Sequence, residues 1–281
     1  SKAVFGSGAK DIAILGKGVY KNYGAGESGF SISSCQFAMH YFFENEYSMH
    51  QFIRNVAECT KVNGYFTGTC YDGKTVFNLL KDKKKSEGIS IHKNDHKMFE
   101  LTKMYDQTGF PDDELSLGYA INVYQETINK VFREYLVNFD YVIRIMEDYG
   151  FVLITNEEAK PMGLPSGSGL FSDLFTSMEN ELKMNPKNKS HYKKAPFMSS
   201  EEKRISFMNR YFVFKKVRNV DVSKIADVIK KQNVLQVEHE EQEIKELEKD
   251  VKKDEVEPPK KLKIKKTGKK ITLKKFDTPP E

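Results

Sequence analysis

Residues 36–44 of this 281-residue chain, QFAMHYFFE, gather side chains able to hold a polar aromatic ligand. Gln36 carries an amide that both donates and accepts. His40 carries a ring that is a neutral donor or acceptor near pH 7. Phe37, Tyr41, Phe42 and Phe43 offer flat faces to a nucleobase or to a sulfonium-bearing ligand. Core packing competes for these rings, and among the phenylalanines Phe37 alone is kept as a candidate contact. Just upstream, residues 30–34 alternate apolar with polar, which reads as a buried strand. A strand ending in such a cluster is what an open α/β sheet presents at its carboxyl edge, where ligands bind.

The elements that would position this cluster follow in order. Apolar residues from Met49 to Thr60 recur at helical spacing, and Asn63-Gly64 ends that helix. Residues 65–71 read as a strand, and residues 74–83 as a short helix after Asp72-Gly73. Residues 82–116 are charged and weakly periodic, fitting a variable insertion with a short strand at 89–92. His92 and His96 stand four apart there, without a third ligand, so no metal centre is expected. Strands are expected at 117–124, 151–155 and 211–217. A helix is expected over 134–149, with Glu134 opening it as a solvated acid favoured by the helix dipole. A further helix is expected near 170–182, and Ser199 with Glu202 forms a capping box for another. The rhythm predicts an α/β fold whose sheet ends in an antiparallel hairpin.

Composition bounds the rest. The chain is 39% hydrophobic and 30% charged, with a formal net charge of +5. That suits one domain plus an unpacked part, and the charge is too mild to imply nucleic acid by itself. Three cysteines without CxxC spacing point to a reducing compartment with neither a disulfide frame nor a zinc site. No apolar run approaches the about 18 residues of a membrane span. Residues 1–29 are glycine-rich and read as a surface connector, because no strand precedes Gly6-Ser7-Gly8 to make a phosphate loop. The absence of an initial methionine suggests a piece cut from something longer. Residues 238–257 are mainly acidic and 260–275 basic, so 221–281 reads as a disordered, charge-blocked tail able to meet RNA phosphates.

QFAMHYFFE resembles the central motif of the mRNA cap (guanine-N7) methyltransferases, roughly S-[SC]-Q-F-x-x-H-Y-x-F-E. NVAECTKVNGYFTGTCYDG, FREYLVNFDYVIRIMEDYGFVLI and NRYFVFKKV are similar to the segments that follow in that family, so the likeness covers about residues 30–217. Its wording is most like the capping enzymes of giant DNA viruses, where this domain is the C-terminal part of a longer polypeptide.

The resemblance implies a class I, Rossmann-like methyltransferase, with residues 30–220 forming its C-terminal portion. The implied reaction moves a methyl group from S-adenosylmethionine to guanine N7 of GpppN-capped RNA. By resemblance His40, Glu134, Phe37 and Tyr119 touch the cap guanine, while Gln36 and Tyr41 serve S-adenosylmethionine. Asn209 stands where the family has a tyrosine of the cap pocket. The family's glycine-rich donor loop and ribose-binding acid lie upstream of QFxxHY and have no counterpart here. A non-catalytic cap-binding or stimulatory module is therefore the alternative. A methyltransferase acting on another nucleophile would need a general base, and QFxxHY speaks against it. Implied partners are capped RNA and triphosphatase and guanylyltransferase domains of the same polypeptide. The implied location is the host cytoplasm or virion if the source is viral, and the nucleus if it is cellular.

Overall fold

The computed structural model describes residues 2–222 together with Ile225. These fall within a compact unit, Ser1–Ala226; residues 227–281, with the acidic and basic runs, lie outside the described residues. Helix α1 (Ile12–Lys21) buries no side chain and breaks at Gly16, whose φ of 70° suits glycine. Strand β1 (Phe30–Gln36) then leads through a tight turn over Met39–Glu44 into α2 (Glu46–Cys59). Helix α2 starts where Asn45 accepts a bond from the Ser48 amide, and it returns the chain to β2 (Thr60–Tyr71). Strands β1 and β2 pair in parallel, as a strand–helix–strand unit requires. The expected helix over 74–83 is shorter: α3 spans Gly73–Leu79.

Beyond α3 the chain leaves the first sheet. Strands β3 (Gly88–Lys93), β4 (His96–Lys103), β5 (Ala120–Gln125) and β6 (Lys130–Tyr135) form an antiparallel meander in that order. The supposed irregular insertion is thus half of a second sheet. The helix expected over 134–149 is also corrected. Glu134 and Tyr135 belong to β6, opposite Ile121 and Ala120, and α4 (Phe139–Asp148) begins only after Asn138 caps it. Hairpin geometry decides this, because Asn129 at φ 53° closes a turn from Gln125 and sends 130–135 back along β5.

After α4 come β7 (Phe151–Leu153), α5 (Asn156–Ala159), β8 (Ser168–Leu170), α6 (Phe171–Met184), α7 (Ser200–Ser206) and β9 (Asn209–Lys216). The capping box of Ser199 and Glu202 opens α7. Strand β9 lies between β2 on one side and both β7 and β8 on the other, antiparallel to all three. The sheet therefore ends in antiparallel strands, with α5, α6 and α7 between β7 and β9. The fold is α/β, with one parallel strand–helix–strand unit and antiparallel pairing around β9.

Two cores support this frame. Phe43, Phe66, Phe151, Phe212 and Phe214 are fully buried between the first sheet, α2 and α4. Phe99, Leu101, Ile121, Leu136 and Val76 fill a second core on the meander. Strand β1 departs from the buried strand expected. It is terminal among the described strands, and Ile32 is 63% exposed. Lys216 at the end of β9 is buried and donates to the carbonyls of Ala57 (2.6 Å) and Thr60 (2.7 Å), holding the last turn of α2. Burial lowers the pKa of that ammonium from its usual value.

Gly68 sits mid-strand in β2 where the sheet allows no side chain. A Cβ there would lie 2.3 Å from the Cys35 carbonyl oxygen and 2.4 Å from the Phe212 ring. We expect Gly68→Ala to cost about 1–3 kcal/mol, lowering the melting temperature by roughly 3–10 °C. Gly18→Ala, on α1 with open space around it, should leave thermal melting unchanged. Equal melting curves for the two variants would contradict this packing.

Candidate functional site

The carboxyl ends of β1 and β2 face the meander across a cavity of about 490 Å³. One wall carries Phe37, His40, Tyr41 and Tyr71, with Asn209 from the start of β9. The other carries Phe99, Val123, Gln125, Phe132 and Glu134. The side chains of the second wall alternate along β5 and β6, so the pleat presents 123 and 125 with 132 and 134 to one face.

The cavity collects unsatisfied polar groups. Both ring nitrogens of His40, Oε2 of Glu134 and Oδ1 of Asn209 are buried without a hydrogen-bond partner. Buried polar atoms are normally paired, so such a concentration marks a place made for a polar ligand. His40 Nε2 lies 3.5 Å from Glu134 Oε2, both side chains being under a tenth exposed. Burial pushes the Glu134 carboxyl up to about 7 and draws the His40 imidazole down to about 4. At neutral pH the cavity thus sets a neutral imidazole beside a carboxyl close to ionising. Asn209 is fixed in orientation, because its amide nitrogen donates to the carbonyls of Ile205 (3.2 Å) and Ser206 (3.0 Å). Its oxygen is left as an acceptor. Burial, then the charge of Glu134, raises the Tyr71 hydroxyl well above its usual range, and Gln125 Nε2 donates to that oxygen at 3.3 Å.

Residues 14–217 match the mRNA (guanine-N(7))-methyltransferase domain. This chain belongs to that family. A probable mRNA-capping enzyme of Acanthamoeba polyphaga mimivirus is 26% identical over 71% of this chain and 18% of its own length. The mRNA cap guanine-N(7) methyltransferase of Aspergillus niger is 35% identical over 33% of this chain and 17% of its own length. That of Eremothecium gossypii is 30% identical over 43% and 28%. The chain therefore spans about a fifth of the length of the first two relatives. Among solved structures, the CcbJ methyltransferase from Streptomyces caelestis is similar over 69% of this chain and 59% of its own, at 10% identity and a TM-score of 0.38.

Of the residues that the family resemblance singled out, the structure brings His40, Glu134, Phe37, Tyr41 and Asn209 to one cavity. Phe37 holds a φ of 51°, uncommon for a bulky residue, and its exposed ring meets Phe171 edge-on. Tyr41 packs edge-on against His40 with ring centroids 4.3 Å apart and is 45% exposed. Gln36 lies outside the lining: its amide donates to Ser34 Oγ and accepts from Thr69 Oγ1, which fixes it at the end of β1. Tyr119 is corrected. It is buried among Phe77, Tyr105 and Phe110 in the second core, and its hydroxyl donates to the Gly109 carbonyl. Tyr71, Gln125 and Phe132 are pocket residues that sequence reasoning missed; the alternation of residues 121–125 was the available signal for Gln125.

The Glu134 shift has a measurable consequence. The folded state binds this proton more tightly than the unfolded chain, so stability is lost as pH rises from about 4.5 through about 7. A displacement of that size corresponds to roughly 3 kcal/mol. Glu134→Gln removes the cost. The variant should melt about 5–10 °C above the parent near pH 8, and the two curves should converge below about pH 4. A pH-independent difference would show that the carboxyl is not destabilised by its burial.

Proposed function

We propose that this domain binds the guanine of GpppN-capped RNA in the cavity and that it belongs to an enzyme methylating that guanine at N7. The observation carrying the reading is the buried, unpartnered pair His40–Glu134 in an aromatic-lined cavity. Guanine presents O6 as an acceptor beside N1–H and N2–H donors. A neutral imidazole N–H can donate to O6, and the Glu134 carboxylate can accept from N1–H and N2–H. Adenine offers a donor and an acceptor in the reversed order, so the same pair opposes it.

Guanine N7 holds a free lone pair at neutral pH and needs no base to remove a proton. S-adenosylmethionine, when bound, supplies an electrophilic methyl group on sulfur. The chain's own part is to hold guanine, exclude water and meet the positive charge that develops on the base. Ionised Glu134 opposes that charge at close range where water does not screen it. Tyr41 holds an exposed ring near the carboxyl end of β1, a fitting surface for part of the donor, and the exposed Phe37 ring in the cavity lining suits the guanine. Gln36 is committed to two hydroxyls and fits an ordering role there. The partners that accord with this reading are capped RNA and further capping domains of one polypeptide, in the cytoplasmic factory of a virus.

Guanine binding should release a proton, because the ligand's N–H groups favour the carboxylate over the acid. Calorimetric titration of GpppA into the 281-residue chain should show affinity rising about tenfold from pH 6 to pH 8, with ApppA bound far more weakly. Glu134→Gln should weaken GpppA by roughly 10- to 100-fold, the worth of a charged hydrogen bond, and abolish the pH dependence. Equal affinity for GpppA and ApppA would sink the reading.

Asn209 adds a narrower expectation. Its fixed, unpartnered Oδ1 can accept the N2–H that Glu134 leaves. Inosine lacks that amino group, so the parent should prefer GpppA to IpppA. Asn209→Leu should reduce the preference about threefold to tenfold, as loss of one neutral bond does. An unchanged ratio would remove Asn209 from guanine recognition.

A further inference from the structure

Residues 183–197, KMNPKNKSHYKKAPF, contain five lysines, one histidine and no acid. Lys187, Lys189, Lys193 and Lys194 are exposed, and none of them reaches a carboxylate among the described residues. Glu181 on α6 is near, yet it is occupied otherwise. It accepts bonds from Asn188 Nδ2 (2.7 Å) and from the Tyr192 hydroxyl, and so pins the loop to α6 at two points. Between those pins and α7 the backbone takes an uncommon conformation at Lys193, φ 48°. A pinned loop cannot spread its like charges apart, so their repulsion is relieved by an anionic partner.

The same stretch carries an exposed aromatic ring. Phe197 is 66% exposed, and the Lys189 ammonium sits 4.3 Å from its ring centroid. Lysines that can follow a phosphate backbone beside a ring on which a base can stack form the usual platform for single-stranded nucleic acid. The platform is also connected to the cavity. Helix α6 begins at Phe171, which meets Phe37 at the cavity, and α7 contributes Ile205 to the lining. The 14 residues of α6 extend on the order of 20 Å, the reach of a few nucleotides.

We infer that the loop 186–197 binds the single-stranded RNA that follows the cap, its lysines on phosphates and Phe197 on a base. The inference rests on capped RNA being the ligand of the cavity. The occupant is RNA and not an acidic protein segment, because an exposed ring serves a base and lysines alone would serve carboxylates.

The test uses the full chain with three probes: GpppA, a capped ten-nucleotide RNA and the same RNA uncapped. Lys187→Gln, Lys189→Gln, Lys193→Gln and Lys194→Gln are made together, with the four arginine replacements as a charge-retaining control. The glutamine variant should bind both RNAs at least tenfold more weakly at low salt. Its slope of log affinity on log salt should be shallower by about 3, four phosphates at roughly 0.7 each. GpppA binding should be unchanged, and arginine should restore RNA binding. Phe197→Ala should weaken RNA by about tenfold or more without altering the slope. RNA affinity and slope equal to the parent's, or a loss that arginine does not restore, would overturn the inference. Failure of the parent to bind GpppA, with lysine-dependent RNA binding intact, would count against the cap reading and leave the loop standing.

Discussion

Asp72 is the joint on which the wall formed by the ends of β2 and β9 depends. One carboxylate oxygen accepts from the Thr75 amide and opens α3; the other accepts from Arg210 Nε at 2.8 Å, joining the end of β2 to the start of β9. Arg210 also lies over the Phe139 ring at 4.7 Å and donates to Ser168 Oγ, which brings in α4 and β8. Burial alone would raise the Asp72 carboxyl, but the bonds from Thr75 and Arg210 outweigh it and hold the group below its usual value. A charge so held is stable at this depth because its lone pairs are used. Tyr71 precedes this joint and Asn209 begins the strand opposite, so the position of two pocket residues follows from one ion pair.

Glu134 is the contrary case, a carboxyl at similar depth with one oxygen unused. The hairpin β5–β6 leaves it no choice, since register places it opposite Ile121 with its face toward the cavity. The contact between the walls is fixed elsewhere, by the Tyr135 hydroxyl donating to Glu44 at 2.8 Å and the Gly118 amide donating to the Phe43 carbonyl at 3.0 Å. Those bonds join the meander to the turn that carries His40. The separation of His40 from Glu134 is thus set by residues outside the cavity lining.

Much of this was legible in the sequence, unevenly and for physical reasons. The strand–helix–strand unit of β1, α2 and β2 announced itself through helical periodicity and the Asn63-Gly64 stop. The meander did not. Its strands β3 and β4 carry His92, Lys93, His96 and Lys97 at exposed positions, and alternation over six to eight residues is easily lost among them. Glu134 was picked out by resemblance while its element was misread: Tyr135, Leu136 and Phe139 fall at spacings that mimic a helical stripe, and the boundary lies in Asn138, whose side chain caps α4. Tyr119 shows the reverse error. A motif position suggested the pocket, whereas the hydroxyl has its own partner in Gly109 and the ring completes a cluster of aromatics. Tyr71 and Gln125 escaped because neither belongs to a motif; they meet only when two sheets are brought together.

The proposed chemistry accounts for why strain is kept at this place and not relieved. Methyl transfer to N7 needs no proton to be taken, so a well-hydrated, ordinary carboxylate at position 134 would add little. What strengthens during the reaction is the attraction between a carboxylate and a base becoming cationic, and that attraction grows as water is excluded. Burial that raises the Glu134 carboxyl to about 7 is the same burial that would make its charge effective once a ligand's N–H groups restore ionisation. The neutral His40 beside it follows the same logic. An imidazolium there would hold Glu134 ionised without ligand and compete with guanine for it, whereas an imidazole drawn down to about 4 leaves the carboxyl unpaired until the base arrives.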